Sequence, residues 1–480
     1  MSFARNEIEN NTKGNCRKIN QNFRPFNLKL LLKWFIIVQL IFDMAKSYKK
    51  SFYLITSLFF TFGLLTVLVD SLIPRLKEIF ELSFFQAGMV QFAFFIAYGL
   101  ISIPAGNLLH RIGYKKGIIW GLVIMGVGCL LFLPAASFRM FPLFMVGYFI
   151  LASGMTVLQV AANPYVSVLG EPRTASSRLI LSQAFNSLGT TIAPAIGAIF
   201  ILSDSIKSSV DINGLNKQDF EVYMNAESSA VQMPFLVLAG CIILLALIVL
   251  KTDLPELLST KIKGNYAEAL KHSKLRLGAV GIFVYVGAEV TIGSYLVNYF
   301  MDMNLAEVIR ENPFMSSIAS IFHSDGLQNV DNKAIVAAFV TFYWGGAMVG
   351  RFVGSYLTKV YKPNNVLMVF AALAITFVLI SISTVGILSL WTILAVGLFN
   401  SIMFPTIFTI AIEDLGHLRP QGSGVLCTAI AGGAFIPPLF GYFVDLSGFK
   451  IAFLVVIICY SYILYFGKAS SKLPLPKNDN

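Results

Sequence analysis

Charge is what this chain has least of. Aspartate, glutamate, lysine and arginine make up only 13% of its 480 residues. Soluble domains carry about 25%, so a water-facing surface of the usual kind cannot be assembled from this composition. Histidine is scarcer still: His110, His272, His323 and His417 fall in loops or at helix ends, without metal-ligand spacing. The five cysteines cannot all pair, and Cys129, Cys241, Cys427 and Cys459 lie inside apolar runs. Neither a disulfide framework nor a metal site is implied. A membrane enzyme would need a nucleophile–base pair or a metal cluster, and no such constellation is present, so the chain is not expected to be one.

What is present is apolar. Hydrophobic residues reach 56% and mean hydropathy is +0.74, in runs long enough to span a bilayer. The net charge of +11 does not mark a nucleic-acid binder, because the basic residues gather in short segments between apolar runs. Twelve spans are predicted, near 52–74, 84–109, 117–136, 141–169, 177–202 and 231–251, then 277–301, 333–357, 364–385, 387–412, 422–445 and 449–467. An even number puts both termini on one side. Under that arrangement about 28 of the 36 Lys+Arg lie on the terminal side, which the positive-inside rule makes cytoplasmic. Two longer outer loops, 203–230 and 302–332, read as acidic and polar.

The chain thus divides into an N-terminal cytoplasmic extension (1–50), a six-helix bundle (51–252), a cytoplasmic linker (253–276), a second six-helix bundle (277–468) and a cytoplasmic tail (469–480). Within the extension, Leu30 to Phe42 is apolar but too short to span. Met44, followed by AKSYKK, offers an alternative start. The halves repeat: GNLLHRIGYKK after span 2 is echoed by GSYLTKVYK after span 8, Pro164 by Pro405, and Pro194 by Pro437. The expected fold is an all-α membrane protein of twelve transmembrane helices in two pseudo-symmetric bundles, with a polar site between them near the membrane midplane.

Polar side chains inside the spans are the candidate site. Gln159 and Asn163 lie four apart on span 4, and Gln183 and Asn186 three apart on span 5, so each pair shares a helix face. Pro164 is expected to kink its helix at these amides. Such faces either glue helices together or meet a polar solute. Asp70 in span 1 and Glu289 in span 7 are carboxylates at membrane depth, where a charge costs roughly 2.5–3.5 kcal/mol. They are read as coupling-ion residues for H⁺ or Na⁺, or else as structural partners of a cation such as Arg351. Gln91, Tyr285, Asn298, Tyr343 and Asn400 add neutral donors and acceptors, while Phe339 and Trp344 offer aromatic faces. A cavity with few cations suits an uncharged, polyhydroxylated solute better than a phosphate or carboxylate.

Two sets of motifs carry a family resemblance. GNLLHRIGYKK resembles the loop between spans 2 and 3 of the major facilitator superfamily, with Gly106, Arg111, Gly113 and Lys116 at its gating positions. His110 stands where that family prefers Asp, which weakens the expected inner-gate pairing. VAANPYVSVLG, SSRLILSQAFNSLGTTIAP, YVGAE and FPTIFTIAIEDLG look like the fucose–proton symporter family. The resemblance covers nearly all of 51–467 and implies cation-coupled sugar import by alternating access. By position, Asp70 matches an acidic residue used in sugar recognition. The second acidic position falls on Gln159, and Glu289 stands where the fucose permeases have Gln. That exchange resembles the glucose/galactose branch, although Val69 departs from the family's Asn.

The expectation is therefore a monomeric hexose importer of a bacterial-type inner membrane, with no cofactor beyond a co-transported Na⁺ or H⁺. Its substrate-binding residues would be Asp70, Gln159, Asn163, Gln183, Asn186, Tyr285, Glu289, Tyr343 and Asn400. Its expected partners are a small neutral sugar and the lipid bilayer, without nucleic acid. Fucose or another sugar, polyol or nucleoside as substrate, and a non-transporting sugar sensor, remain alternatives.

Overall fold

A computed structural model describes residues 48–68, 84–200, 217–257, 264–322, 327–328 and 330–473; for 84–91, 194–200 and 217–231 it describes the backbone alone. Val69, Asp70, His323 and the stretch around Met44 lie outside these residues, as does the Gln91 side chain. Every described element is helical, as lipid requires of a spanning chain whose backbone groups must pair within their own segment.

Among the described residues nine helices are long and apolar enough to cross a membrane. Two of these contain a reversal. The helix Phe84–Ser137 turns at Gly113 (φ 81°) and so holds spans 2 and 3. The helix Gly432–Lys472 turns at Gly448 (φ 77°), where span 11 gives way to span 12. Both glycines sit in backbone territory that a Cβ would strain. With the helix Ala175–Phe200 as span 5, all twelve passes are accounted for.

The outer segments are more ordered than their polarity suggests. The helix that carries span 6, Gln232–Lys251, starts earlier, at Lys217, and the 302–332 stretch forms two short helices, Leu305–Glu311 and Pro313–Ser320. Asn312 explains the second: its side chain accepts from Phe314 N at 3.1 Å and Met315 N at 3.0 Å, capping the helix that Pro313 starts. Leu305, Ile309, Met315 and Ala319 then turn inward. Span 4 is one helix, Phe141–Val168, that continues through Pro164. Proline removes the N–H that Val160 O would have accepted, and Ser423 Oγ of span 11 donates to that carbonyl instead, at 2.8 Å.

Spans 3 and 4 pack through glycines seven residues apart on each helix, Gly121 and Gly128 against Gly147 and Gly154. A Cβ at Gly154 would lie 2.4 Å from Met125 N, and one at Gly128 2.5 Å from Leu151 N. The backbones therefore touch, which is how helices gain contact where lipid supplies no hydrophobic drive. The halves meet mainly along spans 5 and 8 and spans 2 and 11. Gly154→Ala is expected to destabilise the protein by about 1–3 kcal/mol through overpacking, measured as a lowered unfolding midpoint in detergent. Gly240→Ala, where a Cβ meets nothing within 4 Å, should leave that midpoint close to the parent's.

Candidate functional site

Four helices of the second half bring their buried polar groups together. Tyr285 and Glu289 lie one turn apart on span 7, so they share a face. Tyr343 of span 8 donates to the Glu289 main-chain carbonyl at 3.3 Å. Asn400 Nδ2 of span 10 donates to the Tyr343 hydroxyl at 2.6 Å, and Tyr460 of span 12 donates to Asn400 Oδ1 at 2.6 Å. Tyr343, Asn400 and Tyr460 are each fully buried. Their chain of hydrogen bonds fixes the turn of span 7 that carries Glu289. Asn400 spends one amide hydrogen and its oxygen on this scaffold.

Arg351 of span 8 links that scaffold to the other half. Its Nε donates to Ser401 O at 3.3 Å, the carbonyl that Pro405, four residues on, leaves without its helical donor. Its Nη1 donates to Ser187 Oγ and, at 3.4 Å, to Gln183 O, both on span 5 of the first half. Its Nη2 faces Glu289 Oε1 at 3.9 Å, with both side chains 15% exposed. Among the described residues, neither Glu289 Oε1 nor the Tyr285 hydroxyl completes a well-formed hydrogen bond. The carboxylate and the guanidinium thus compensate each other's charge, while polar atoms around them stay unused.

The other expected residues are placed separately. Gln159 donates from Nε2 to the Tyr98 hydroxyl at 3.0 Å and borders a small apolar cleft with Leu58, Phe59, Phe62, Leu158 and Ala162. Asn186 Nδ2 donates to Phe59 O at 3.0 Å, tying span 5 to span 1. Gln183 is buried and meets Arg351 through its main chain. Asn163 is fully buried against the Cys427 thiol, a weak hydrogen-bonding neighbour, and neither of its amide atoms completes a well-formed hydrogen bond among the described residues. Phe339 packs edge-on against Trp391 in the core, whereas Trp344 is exposed.

At the end of the molecule that bears the basic loops, the halves are joined. Ser176 and Thr409 hydroxyls lie 2.5 Å apart, and Ser355 Oγ donates to Ser177 O at 2.9 Å. Gly106 lies under Tyr266 of the linker, whose hydroxyl donates to Ile103 O at 2.5 Å. A Cβ at Gly106 would come 2.4 Å from that hydroxyl. Burial holds the Tyr266 phenol well above its usual range, so it remains a donor. His110 Nε2 accepts from Gly264 N at 3.0 Å, so this residue grips the linker. Gln421, also fully buried here, has no partner for either amide atom among the described residues. Gly113 makes the turn, and Arg111 and Lys116 are exposed. Lys274 pairs with Asp414 at 2.6 Å and Glu413 at 3.7 Å, joining span 7 to span 10.

Tyr98, Ser187, Ser401 and Tyr460 were not singled out by sequence. A proline four residues downstream is a readable signal for Ser401; the others depend on which helices become neighbours. No group of three or more His, Cys, Asp or Glu among the described residues could hold a metal ion. Tyr460→Phe leaves Asn400 Oδ1 buried without a donor. It is expected to destabilise the protein by about 1–3 kcal/mol, read from thermal unfolding in detergent.

Comparison with known proteins bears on the fold and the family. Residues 54–436 match the family model described as Major Facilitator Superfamily. The chain is 45% identical over 433 residues to a glucose/galactose transporter of Brucella abortus, covering 89% of this chain and 95% of that one. A putative glucose/galactose transporter of Helicobacter pylori is 41% identical over 418 residues (86% and 94%). The L-fucose-proton symporter of Escherichia coli is 33% identical over 442 residues (89% and 94%). The crystal structure of FucP, a major facilitator transporter, in the outward conformation superposes with a TM-score of 0.79 at 32% identity, covering 89% of this chain and all of that one. This chain is a multi-pass membrane protein with the twelve-helix fold, and it belongs to the major facilitator superfamily.

Proposed function

We propose that this protein carries a neutral hexose, glucose or galactose, into a bacterial cell by alternating access, driven by Na⁺ or H⁺. The observation that carries this reading is the Arg351–Glu289 pair at the seam between the halves. It is a buried site of balanced charge with spare hydrogen-bonding atoms, which suits a solute with many hydroxyls and no charge. The substrate class draws support from the glucose/galactose transporters among the relatives. Fucose is the rival, supported by the fucose symporter at lower identity.

In this reading both termini are cytoplasmic and the joined basic-loop end faces the cytoplasm, so the structure is closed inward. Asp70, together with Glu289, takes the driving cation. Gln159, Asn163, Gln183 and Asn186 read the hydroxyl pattern. When the halves rock, Ser176–Thr409, Ser355–Ser177 and Ser423–Val160 part, and the sugar leaves inward. Ligand binding drives this only through a difference in affinity between the two states.

Reconstituted in liposomes, the protein is expected to accumulate labelled glucose or galactose under an imposed Na⁺ or pH gradient. Unlabelled fucose should compete weakly. Asp70→Asn and Glu289→Gln should each cut accumulation by about tenfold or more, as loss of a hydrogen bond to a charged group does. Undiminished accumulation by both variants removes these carboxylates from coupling. A second measurement follows the rocking. Cys427 is fully buried at the seam, and Ser423→Ala removes the donor to Val160 O. Labelling of Cys427 by a small maleimide is expected to quicken in Ser423→Ala; an unchanged rate argues that this bond does not hold the halves shut.

A further inference from the structure

The Arg351–Glu289 pair is too wide for a direct hydrogen bond and narrow enough to share one oxygen. Nη2 and Oε1 stand 3.9 Å apart. A hydroxyl oxygen about 2.8 Å from each would see the two at an angle of about 90°, close to what a hydroxyl needs to accept on one side and donate on the other. Glu289 Oε1 has no partner at hydrogen-bond distance and angle among the described residues, and the Tyr285 hydroxyl, on a residue only 1% exposed, faces the same carboxylate without completing such a bond. Leaving such groups unpaired is costly. The surrounding scaffold holds them in place all the same: Tyr343, Asn400 and Tyr460 fix the Glu289 turn, and Ser401 O, Ser187 Oγ and Gln183 O fix the guanidinium.

We propose that Arg351, Glu289 and Tyr285 form a subsite for two adjacent hydroxyls of the sugar. One hydroxyl accepts from Arg351 Nη2 and donates to Glu289 Oε1; its neighbour bonds the Tyr285 hydroxyl. The ligand class is a neutral molecule with a vicinal diol. A carboxylate or phosphate would press a second negative charge against Glu289, and an isolated hydroxyl would fill half the site. Arg351 thereby becomes a binding residue as well as a bridge, so a sugar held by it touches the second half while its guanidinium grips span 5 of the first. The inference rests on the sugar-carrier reading and specifies its contacts.

Equilibrium binding of labelled galactose and glucose to the purified full-length protein, against a series of singly deoxygenated analogues, tests it. Tyr285→Phe removes a hydroxyl that faces the Glu289 carboxylate without a well-formed hydrogen bond among the described residues, so its unfolding midpoint should stay close to the parent's. It is expected to weaken binding of the parent sugar about fivefold, as loss of one neutral hydrogen bond does. One deoxy analogue should bind the variant and the parent protein equally. In Glu289→Gln the penalty for removing the adjacent hydroxyl should shrink from about tenfold or more to less than about threefold, and Arg351→Lys should behave likewise. If Tyr285→Phe binds every sugar as the parent does, or weakens all analogues equally, the subsite is overturned while sugar transport stands. If the parent protein binds no hexose at all, the sugar reading itself falls.

Discussion

A guanidinium inside a bilayer must find compensation, and everything near the centre of this molecule follows from where Arg351 finds it. Its positive charge lies against Glu289, and its remaining donors go to Ser401 O, Ser187 Oγ and Gln183 O. Separated, each ion would bear a desolvation penalty of several kcal/mol. Held together, they form a neutral but strongly polar spot where side chains of span 8 meet span 5 across the seam between the halves. A neutral solute rich in hydroxyls is the ligand such a spot tolerates best, since it adds hydrogen bonds without adding charge.

Proline supplies part of the wiring. Pro164 and Pro405 occupy matching places in spans 4 and 10, and each leaves a carbonyl four residues earlier without its helical donor. In span 4 the vacancy at Val160 is filled from the opposite half by Ser423; in span 10 the vacancy at Ser401 is filled by Arg351. The same local defect thus yields a bond across the seam in one bundle and a support for the central charge in the other. The repeat is one of backbone chemistry, and the side chains that exploit it have diverged.

The sequence revealed the fold well and the site unevenly. Long apolar runs and the placement of basic residues follow from lipid physics, so the passes could be read directly, even where two of them are joined by little more than the turn at Gly113. The helices at Leu305–Glu311 and Pro313–Ser320 were read as loop because their polar composition outweighed the Asn312–Pro313 start signal. Glu289, Tyr285, Tyr343 and Asn400 were legible as polar residues within apolar spans, and the structure gathers them. Their division of labour was not legible. Asn400 is committed to Tyr343 and Tyr460, and Asn186 ties down span 1, because the partner of an amide is chosen by tertiary neighbours. The placement of Asp70 lies outside the described residues.

The seam at the basic-loop end is zipped incompletely. Asn163 and Gln421 are buried there with no amide atom completing a well-formed hydrogen bond among the described residues, while Ser–Thr and Ser–backbone contacts hold around them. A seam with all groups satisfied would sit in a deeper free-energy well. Unmet amides raise the floor of that well. Polar frustration of this kind lowers the cost of parting the two halves at this end.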